Sequence, residues 1–429
     1  MKVLVVGGGG REHAVCKALK KSARVSEIHA APGNAGISKI AEVHDVKATD
    51  IVNIISLAKE ISADYVFVTP DDPLVMGMVD ALESEGFKTF GPRKNAAVIE
   101  GSKVFSKAFM KRHNIPTAEY KEFGEAEKAI DYIKSQNSFP TVIKYDGLAL
   151  GKGVTVAKDF IEAEDAINFM LTGKKFGDKG IIIEECLEGP EITVLAFTDG
   201  ITVRPMIAST DHKRALDNDE GPNTGGMGVI APSPFYTHET AQIVESKIIR
   251  PTIDGLLSEG RRFKGCIYFG LMLTSDGPKV IEYNCRFGDP EAQVILPLLE
   301  TDLLDIIEAV HDEKLDSLEV RFKDMSAACV ILASEGYPNS YETGVVINGL
   351  NDGGDIDSIP DVSIYHSGTK FKDGRFFTAG GRVLGAAALD KTLSEAVKRA
   401  YNAVEKVSFN GMHYRKDIGK KAVSIINAK

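Results

Sequence analysis

Residues 2–13, Lys2-Val3-Leu4-Val5-Val6-Gly7-Gly8-Gly9-Gly10-Arg11-Glu12-His13, read as a strand, a glycine turn and the start of a helix. The apolar run 3–6 is unbroken, the pattern of a strand buried on both faces of a parallel sheet. A helix is predicted over about 12–21. Downstream the same alternation recurs. Residues 28–31 form a second strand. Thr49 or Asp50 can cap a helix whose apolar face is Ile51, Ile54, Ile55 and Ala58. Residues 65–68 form a strand ended by Pro70, and a further helix follows Pro73. This alternation predicts a Rossmann-like, doubly wound parallel sheet over residues 1–102.

Free backbone N–H groups at the start of a helix can hold an anion. The turn departs from the dinucleotide fingerprint, because its third glycine position is Glu12, whose carboxylate opposes a pyrophosphate. It reads either as a tight strand–helix connection or as a site for a substrate phosphate.

The pattern changes near Gly101-Ser102-Lys103. A helix runs to about His113 and is stopped by Ile115-Pro116. An amphipathic helix over 125–134 and one near 161–171 are interleaved with strands at 141–144, 154–157, 180–184 and 192–197. A polar, glycine-rich loop occupies 209–228. Then come a long helix (239–259, with Pro251 a kink) and strands at 266–273 and 279–283. The expected organisation is an α+β central region over 103–325, with a lid subdomain at about 120–192. A small α/β domain follows over 326–429, with strands at 327–333, 344–348 and 382–387 and a helix through Leu393, Ala396, Ala400 and Val404.

Chemistry-bearing residues concentrate in this central region. Gly147-Leu148-Ala149-Leu150-Gly151-Lys152-Gly153-Val154 joins two strands and so is no Walker A loop, which opens a helix. With Lys144 and Asp146 beside it, it suits a lid over a polyphosphate. Glu184-Glu185-Cys186-Leu187-Glu188-Gly189-Pro190-Glu191 is a carboxylate-rich hinge: exposed backbone there can pair with an adenine edge, or the segment is a solvated acidic turn. In Glu282-Tyr283-Asn284-Cys285-Arg286, alternate residues share one strand face. Glu282 and Asn284 then offer oxygen ligands suited to Mg²⁺, and Arg286 continues toward phosphoryl oxygens. Asp211-His212-Lys213-Arg214 leads into Gly221-Pro222-Asn223-Thr224-Gly225-Gly226-Met227-Gly228, a cationic patch before free backbone donors. It reads equally as a substrate site or as solvent-facing loop.

Bulk properties exclude other classes. A net charge of −10 opposes a nucleic-acid surface. No apolar run approaches the ~18 residues of a membrane span. Five dispersed cysteines, an odd number without paired spacing, fit a reducing compartment, and the expected location is cytoplasmic.

Taken in order, these segments resemble the phosphoribosylamine–glycine ligase family of the ATP-grasp superfamily, which acts in purine biosynthesis. The similarity runs nearly end to end. It includes residues 2–13, Ala31-Pro32-Gly33-Asn34-Ala35-Gly36, Glu100-Gly101-Ser102-Lys103, residues 147–154, 211–228 and 282–291, and Arg415-Lys416-Asp417-Ile418-Gly419. The resemblance implies ATP-dependent joining of glycine to 5-phosphoribosylamine through glycyl phosphate, with Mg²⁺ or Mn²⁺. By the same resemblance, Lys103, Lys144, Lys152, Gly153, Glu184, Glu185, Leu187 and Glu191 bind ATP, and Glu282 and Asn284 bind the metal. Asp211, Lys213 and Arg286 are catalytic, and Gly9, Asn34, Asn223, Gly225 and Gly226 lie near the substrates. Only small-molecule partners are expected, on a monomer or weak homo-oligomer. The chain departs from the family pattern at Asp71-Asp72, Tyr145, Pro190 and Gly270.

Overall fold

A computed structural model describes residues 1–149, 153–174, 176–357, 359 and 361–428. Lys2–Gly7 is the centre of a five-stranded sheet, parallel to Glu27–Pro32 on one side and Tyr65–Val68 on the other. Two short strands, Glu42–Val43 and Lys88–Phe90, close its edges. The first helix spans Gly10–Leu19, earlier than its apolar pattern indicates. The cause is Glu12, whose Oε2 reaches back to accept from the Gly9 N–H at 2.5 Å and so caps the helix two residues upstream. Asp50 caps Ile51–Glu60 by accepting from the Asn53 N–H.

The central region holds two antiparallel four-stranded sheets facing each other. The lid sheet runs Tyr120–Phe123, Ile181–Glu185, Thr141–Tyr145, Val154–Ala157. Its own small core, with Ile133, Ile143, Ile167 and Ile183, is covered by helices Ala126–Gln136 and Phe160–Ile167. The second sheet runs Val203–Pro205, Glu191–Thr198, Gly265–Thr274, Gly277–Asn284. The chain passes from the first sheet to the second through residues 186–190. There Gly189 has φ +148° and its Cα lies so close to the Leu273 carbonyl that a Cβ would stand 2.1 Å from the oxygen, so only glycine fits.

The predicted helix over 239–259 is a continuous helical run, His238–Val244, Glu245–Ile249 and Arg250–Ser258. The middle piece widens into a π turn just before Pro251, which accommodates the missing N–H.

Residues 209–228 are not the irregular loop that their polarity suggests. Thr210–Asp211 pairs with Gly228–Ala231, and Arg214–Leu216 forms a hairpin with Glu220–Asn223. Gly228–Ala231 in turn pairs with Ser326–Ser334, so the C-terminal sheet borrows two strands from the central segment. That sheet continues through Arg382–Asp390 to Val362–His366, and Leu393–Val404 packs on it. The strand expected over 344–348 shrinks to Val346–Ile347. Among the described residues no helix is long and apolar enough to cross a membrane.

Candidate active site

A cleft of about 1320 Å³ lies between the two central sheets and extends to the C-terminal sheet. One end is built by the strands of the lid sheet. Glu184 is buried between two lysines: Lys144 Nζ lies 3.0 Å from Oε2 and Lys107 Nζ 3.3 Å from Oε1. Lys107 also donates to Thr117 Oγ1 at 2.7 Å, and burial pulls its ammonium down to about 8 despite Glu184. Lys103 donates to the Gly147 carbonyl at 2.9 Å, tying the helix Lys103–Arg112 to the backbone just past the strand Thr141–Tyr145. Burial lowers its pKa, against the pull of Glu282. Val142, Ile182, Leu187 and Met272 give the cleft an apolar wall beside these charges. The Glu185 N–H is given to the Glu119 carbonyl at 3.1 Å.

On the second sheet, Glu282 and Asn284 project from one face of Gly277–Asn284, as strand alternation requires. Burial raises the Glu282 carboxyl, but Lys213, Lys144, Lys103 and Arg286 outweigh it and hold it below the ordinary range. Lys213 pairs with Glu191 and stands 3.6 Å from Glu282. Burial opposes its charge, yet these carboxylates keep the ammonium well above its usual pKa. Arg286 is clamped by Glu100 at 3.0 Å and Asp71 at 3.8 Å, and donates to Asn284 Oδ1 at 3.1 Å. Burial pushes Glu100 up to about 7, with Arg286 pulling the other way. Asp211 is pushed well up by burial and by the neighbouring Glu291 carboxylate. Asp211 Oδ1 and Arg286 Nε are both sealed from solvent with no hydrogen-bond partner among the described residues. They are polar atoms poised for something other than the protein itself.

The structure brings Lys103, Lys144, Gly153, Glu184, Glu185, Leu187, Glu191, Asp211, Lys213, Asn223, Gly225, Glu282, Asn284 and Arg286 to this one cleft. Gly226 sits just behind it: with φ +113° its Cα packs against Pro290 and Asp211, where a Cβ would fall 2.8 Å from Asp211 Oδ1. Gly9 and Asn34 are not among the residues that line this cleft. Asn34 Nδ2 donates to the Gly8 and His366 carbonyls and its Oδ1 accepts from the Gly36 and Ile37 N–H groups, so it fastens the glycine turn to the C-terminal domain. The Gly9 N–H is taken by Glu12, and the Arg11 N–H faces Asp289 Oδ2 at 3.4 Å. The protein's own carboxylates thus face two of the turn's N–H donors. Lys152 lies outside the described residues.

Sequence reading gave no site role to Lys107, Glu100, Glu291 and Arg382, all of which line the cleft, as does Asp71. Arg382 donates to the Gly225 carbonyl at 2.6 Å and lies 3.4 Å from Asp289. The departures also find places. Asp71 faces Arg286, and Tyr145 braces the lid by donating to the Phe176 carbonyl at 2.9 Å. A Cβ on Gly270 would stand 3.2 Å from Glu282 Cγ, so an acidic side chain there would crowd the carboxylate already present.

Two antiparallel sheets closing on a cleft of buried lysines, a carboxylate-rich hinge and an oxygen-ligand pair define a ligase of the ATP-grasp class. Three family models match in succession: phosphoribosylglycinamide synthetase N domain over residues 1–100, ATP-grasp (A) domain over 101–292 and C domain over 327–421. A phosphoribosylamine–glycine ligase of Caldanaerobacter subterraneus subsp. tengcongensis is 48% identical over 420 residues, covering 97% of this chain and 99% of that one. The crystal structure of phosphoribosylamine–glycine ligase from Thermotoga maritima superposes with a TM-score of 0.85 at 32% identity, covering 97% of this chain and 100% of that one. The biotin carboxylase domain of Hydrogenobacter thermophilus 2-oxoglutarate carboxylase, at 18% identity and TM-score 0.71 over 96% of this chain and 91% of that one, shares the fold. The chain belongs to the phosphoribosylglycinamide synthetase family.

Proposed function

We propose that this ligase joins glycine to 5-phosphoribosylamine at the expense of ATP, giving glycinamide ribonucleotide, ADP and phosphate. The observation that carries the reading is the single cleft holding Lys144, Glu184, Lys213, Glu282, Asn284 and Arg286, in a chain matched over nearly its whole length by ligases of that name. A glycine carboxylate oxygen attacks the γ-phosphorus of ATP, the bond to ADP breaks, and glycyl phosphate forms. The amine then attacks the glycyl carbonyl and phosphate leaves.

Lys103 and Lys144 hold the ATP phosphates, and the segment of about 120–192 folds over the nucleotide. Glu185 and Leu187 present hinge backbone to adenine, and Glu191 serves the ribose. Arg286, pre-aimed by Glu100 and Asp71, donates to the transferring phosphoryl oxygens. Asp211, whose Oδ1 has no hydrogen-bond partner among the described residues, is the catalytic carboxyl on the acceptor side. Asn223, Gly225 and Lys213 border the acceptor side. Glu282 and Asn284 form a hard-oxygen pair that fits Mg²⁺ or Mn²⁺. When bound, such an ion neutralises charge across phosphate oxygens. All five cysteines are free, in keeping with a cytoplasmic location.

The test is ADP release with ATP, Mg²⁺, glycine and freshly generated phosphoribosylamine, leaving out one component at a time. The reading requires dependence on all four. Release that ignores glycine but responds to bicarbonate or formate would assign the cleft to another acid.

A further inference from the structure

On the edge of the N-terminal sheet, away from the cleft, His29, Glu42 and His44 converge. His29 lies on Glu27–Pro32 and is the register partner of Glu42, and the His44 N–H donates to the Ala30 carbonyl at 2.9 Å. The topology therefore stacks three potential ligands from two adjacent segments. His29 Nδ1 stands 3.0 Å from His44 Nε2 and 3.7 Å from Glu42 Oε2, and one ligand atom from each residue falls within 4.8 Å of the others. Donors around a tetrahedral ion at ~2.0–2.1 Å stand about 3.3 Å apart, so the three atoms are already near ligand spacing.

A second feature points the same way. The other ring nitrogen of His29, Nε2, lies 3.3 Å from Glu27 Oε2, and that carboxylate is itself held by Lys2 at 3.1 Å. A carboxylate accepting from Nε2–H fixes the tautomer that leaves the Nδ1 lone pair facing His44 and Glu42. This is the outer-shell arrangement that orients metal-binding histidines. His29 is buried, His44 half-buried and Glu42 exposed, so the inner ligand is fixed and the outer side is open to water or a fourth ligand.

We propose that His29, Glu42 and His44 bind one first-row transition dication of the zinc type. Two imidazoles and a carboxylate select that class over Mg²⁺, which prefers oxygen alone. The ion would pin the two-residue edge strand Glu42–Val43 to the sheet. Val43 packs directly on Gly33, where a Cβ would stand 2.6 Å from its Cγ1, and Gly33 precedes Asn34, the residue that fastens the glycine turn. The site is thus a structural staple on the support of that turn, separate from the ligase cleft.

The test titrates chelator-stripped protein with Co²⁺ in the absence of ATP, followed by visible absorption, and then adds Zn²⁺. The proposal requires one Co²⁺ per chain with the intense bands of a four-coordinate nitrogen–oxygen site, displaced by Zn²⁺. His44→Gln and Glu42→Gln should weaken binding by about tenfold or more, and Glu27→Gln by about 10–100-fold through the lost orienting bond. Glu282→Gln should leave the signal unchanged. Only a weak six-coordinate spectrum in the wild type, or a four-coordinate one that survives His44→Gln, would overturn the proposal. The His29–His44 contact would then be a hydrogen bond between neutral rings.

Discussion

Lys144 and Glu184 meet across neighbouring lid strands, Nζ 3.0 Å from Oε2, with side-chain exposures of 6% and 3%. Glu184 is the register partner of Val142, so Lys144 stands two residues along on the same face, the diagonal position that long side chains reach. Lys107 approaches the same carboxylate from the helix Lys103–Arg112. One buried anion therefore balances two cations in the cleft.

Removing that anion strands both lysines. Glu184→Ala should cost roughly 3–5 kcal/mol of stability, the usual result of leaving a buried charge unpaired. Urea unfolding reads it, and a loss within about 0.5 kcal/mol of zero, the range of an ordinary surface substitution, would show the lysines rearranging to water instead. The apparent KM for ATP should rise in the same variant, because Lys144 loses its aim.

Glu282 and Asn284 share a strand face with Arg286 beyond them. Glu282→Gln keeps the shape and removes the charge. Turnover should fall about 100-fold or more while ATP affinity falls much less, since phosphoryl charge develops mainly in the transition state. Steady-state kinetics with a nucleotide-binding titration separate the two. Unchanged turnover would remove Glu282 from the reaction.

Glu100 supplies a pH signature. Its carboxyl moves from an ordinary 4.5 to about 7 on burial, with Arg286 opposing. Between those values the folded chain holds a proton that the unfolded chain has lost. Its contribution to stability is therefore full below about pH 4.5, declines as pH rises, and is gone above about pH 7. Glu100→Gln does not titrate. The unfolding free energy of wild type relative to the variant should fall steadily from about pH 5 to about pH 7.5. A flat difference across that window would place the Glu100 pKa in the ordinary range.

The N-terminal sheet was readable because residues 3–6 and 65–68 carry unbroken apolar runs between turn signals. Its edges, Glu42–Val43 and Lys88–Phe90, were not, because two or three residues hold no period. Residues 209–228 misled for a related reason: their strands are short and polar, and the apolar partner that orders them, Ser326–Ser334, lies a hundred residues away. The same division holds in the cleft. Glu282 and Asn284 announce themselves by alternation on one strand, with Arg286 two residues past its end. Glu100, Asp71 and Arg382 are isolated charges on separate elements, and only the fold brings them to Arg286 or to Gly225. Gly9 and Asn34 belong to a glycine-rich signature whose fastening to Glu12 and to the C-terminal domain only the fold shows.

Glycyl phosphate is best tested by following oxygen. Glycine labelled with oxygen-18 in both carboxylate positions is supplied with ATP, Mg²⁺ and phosphoribosylamine, and the released phosphate is weighed by mass spectrometry. Attack by the carboxylate on the γ-phosphorus requires one labelled oxygen in each phosphate and one in the amide product. Unlabelled phosphate, with product still formed, would contradict the acyl-phosphate route.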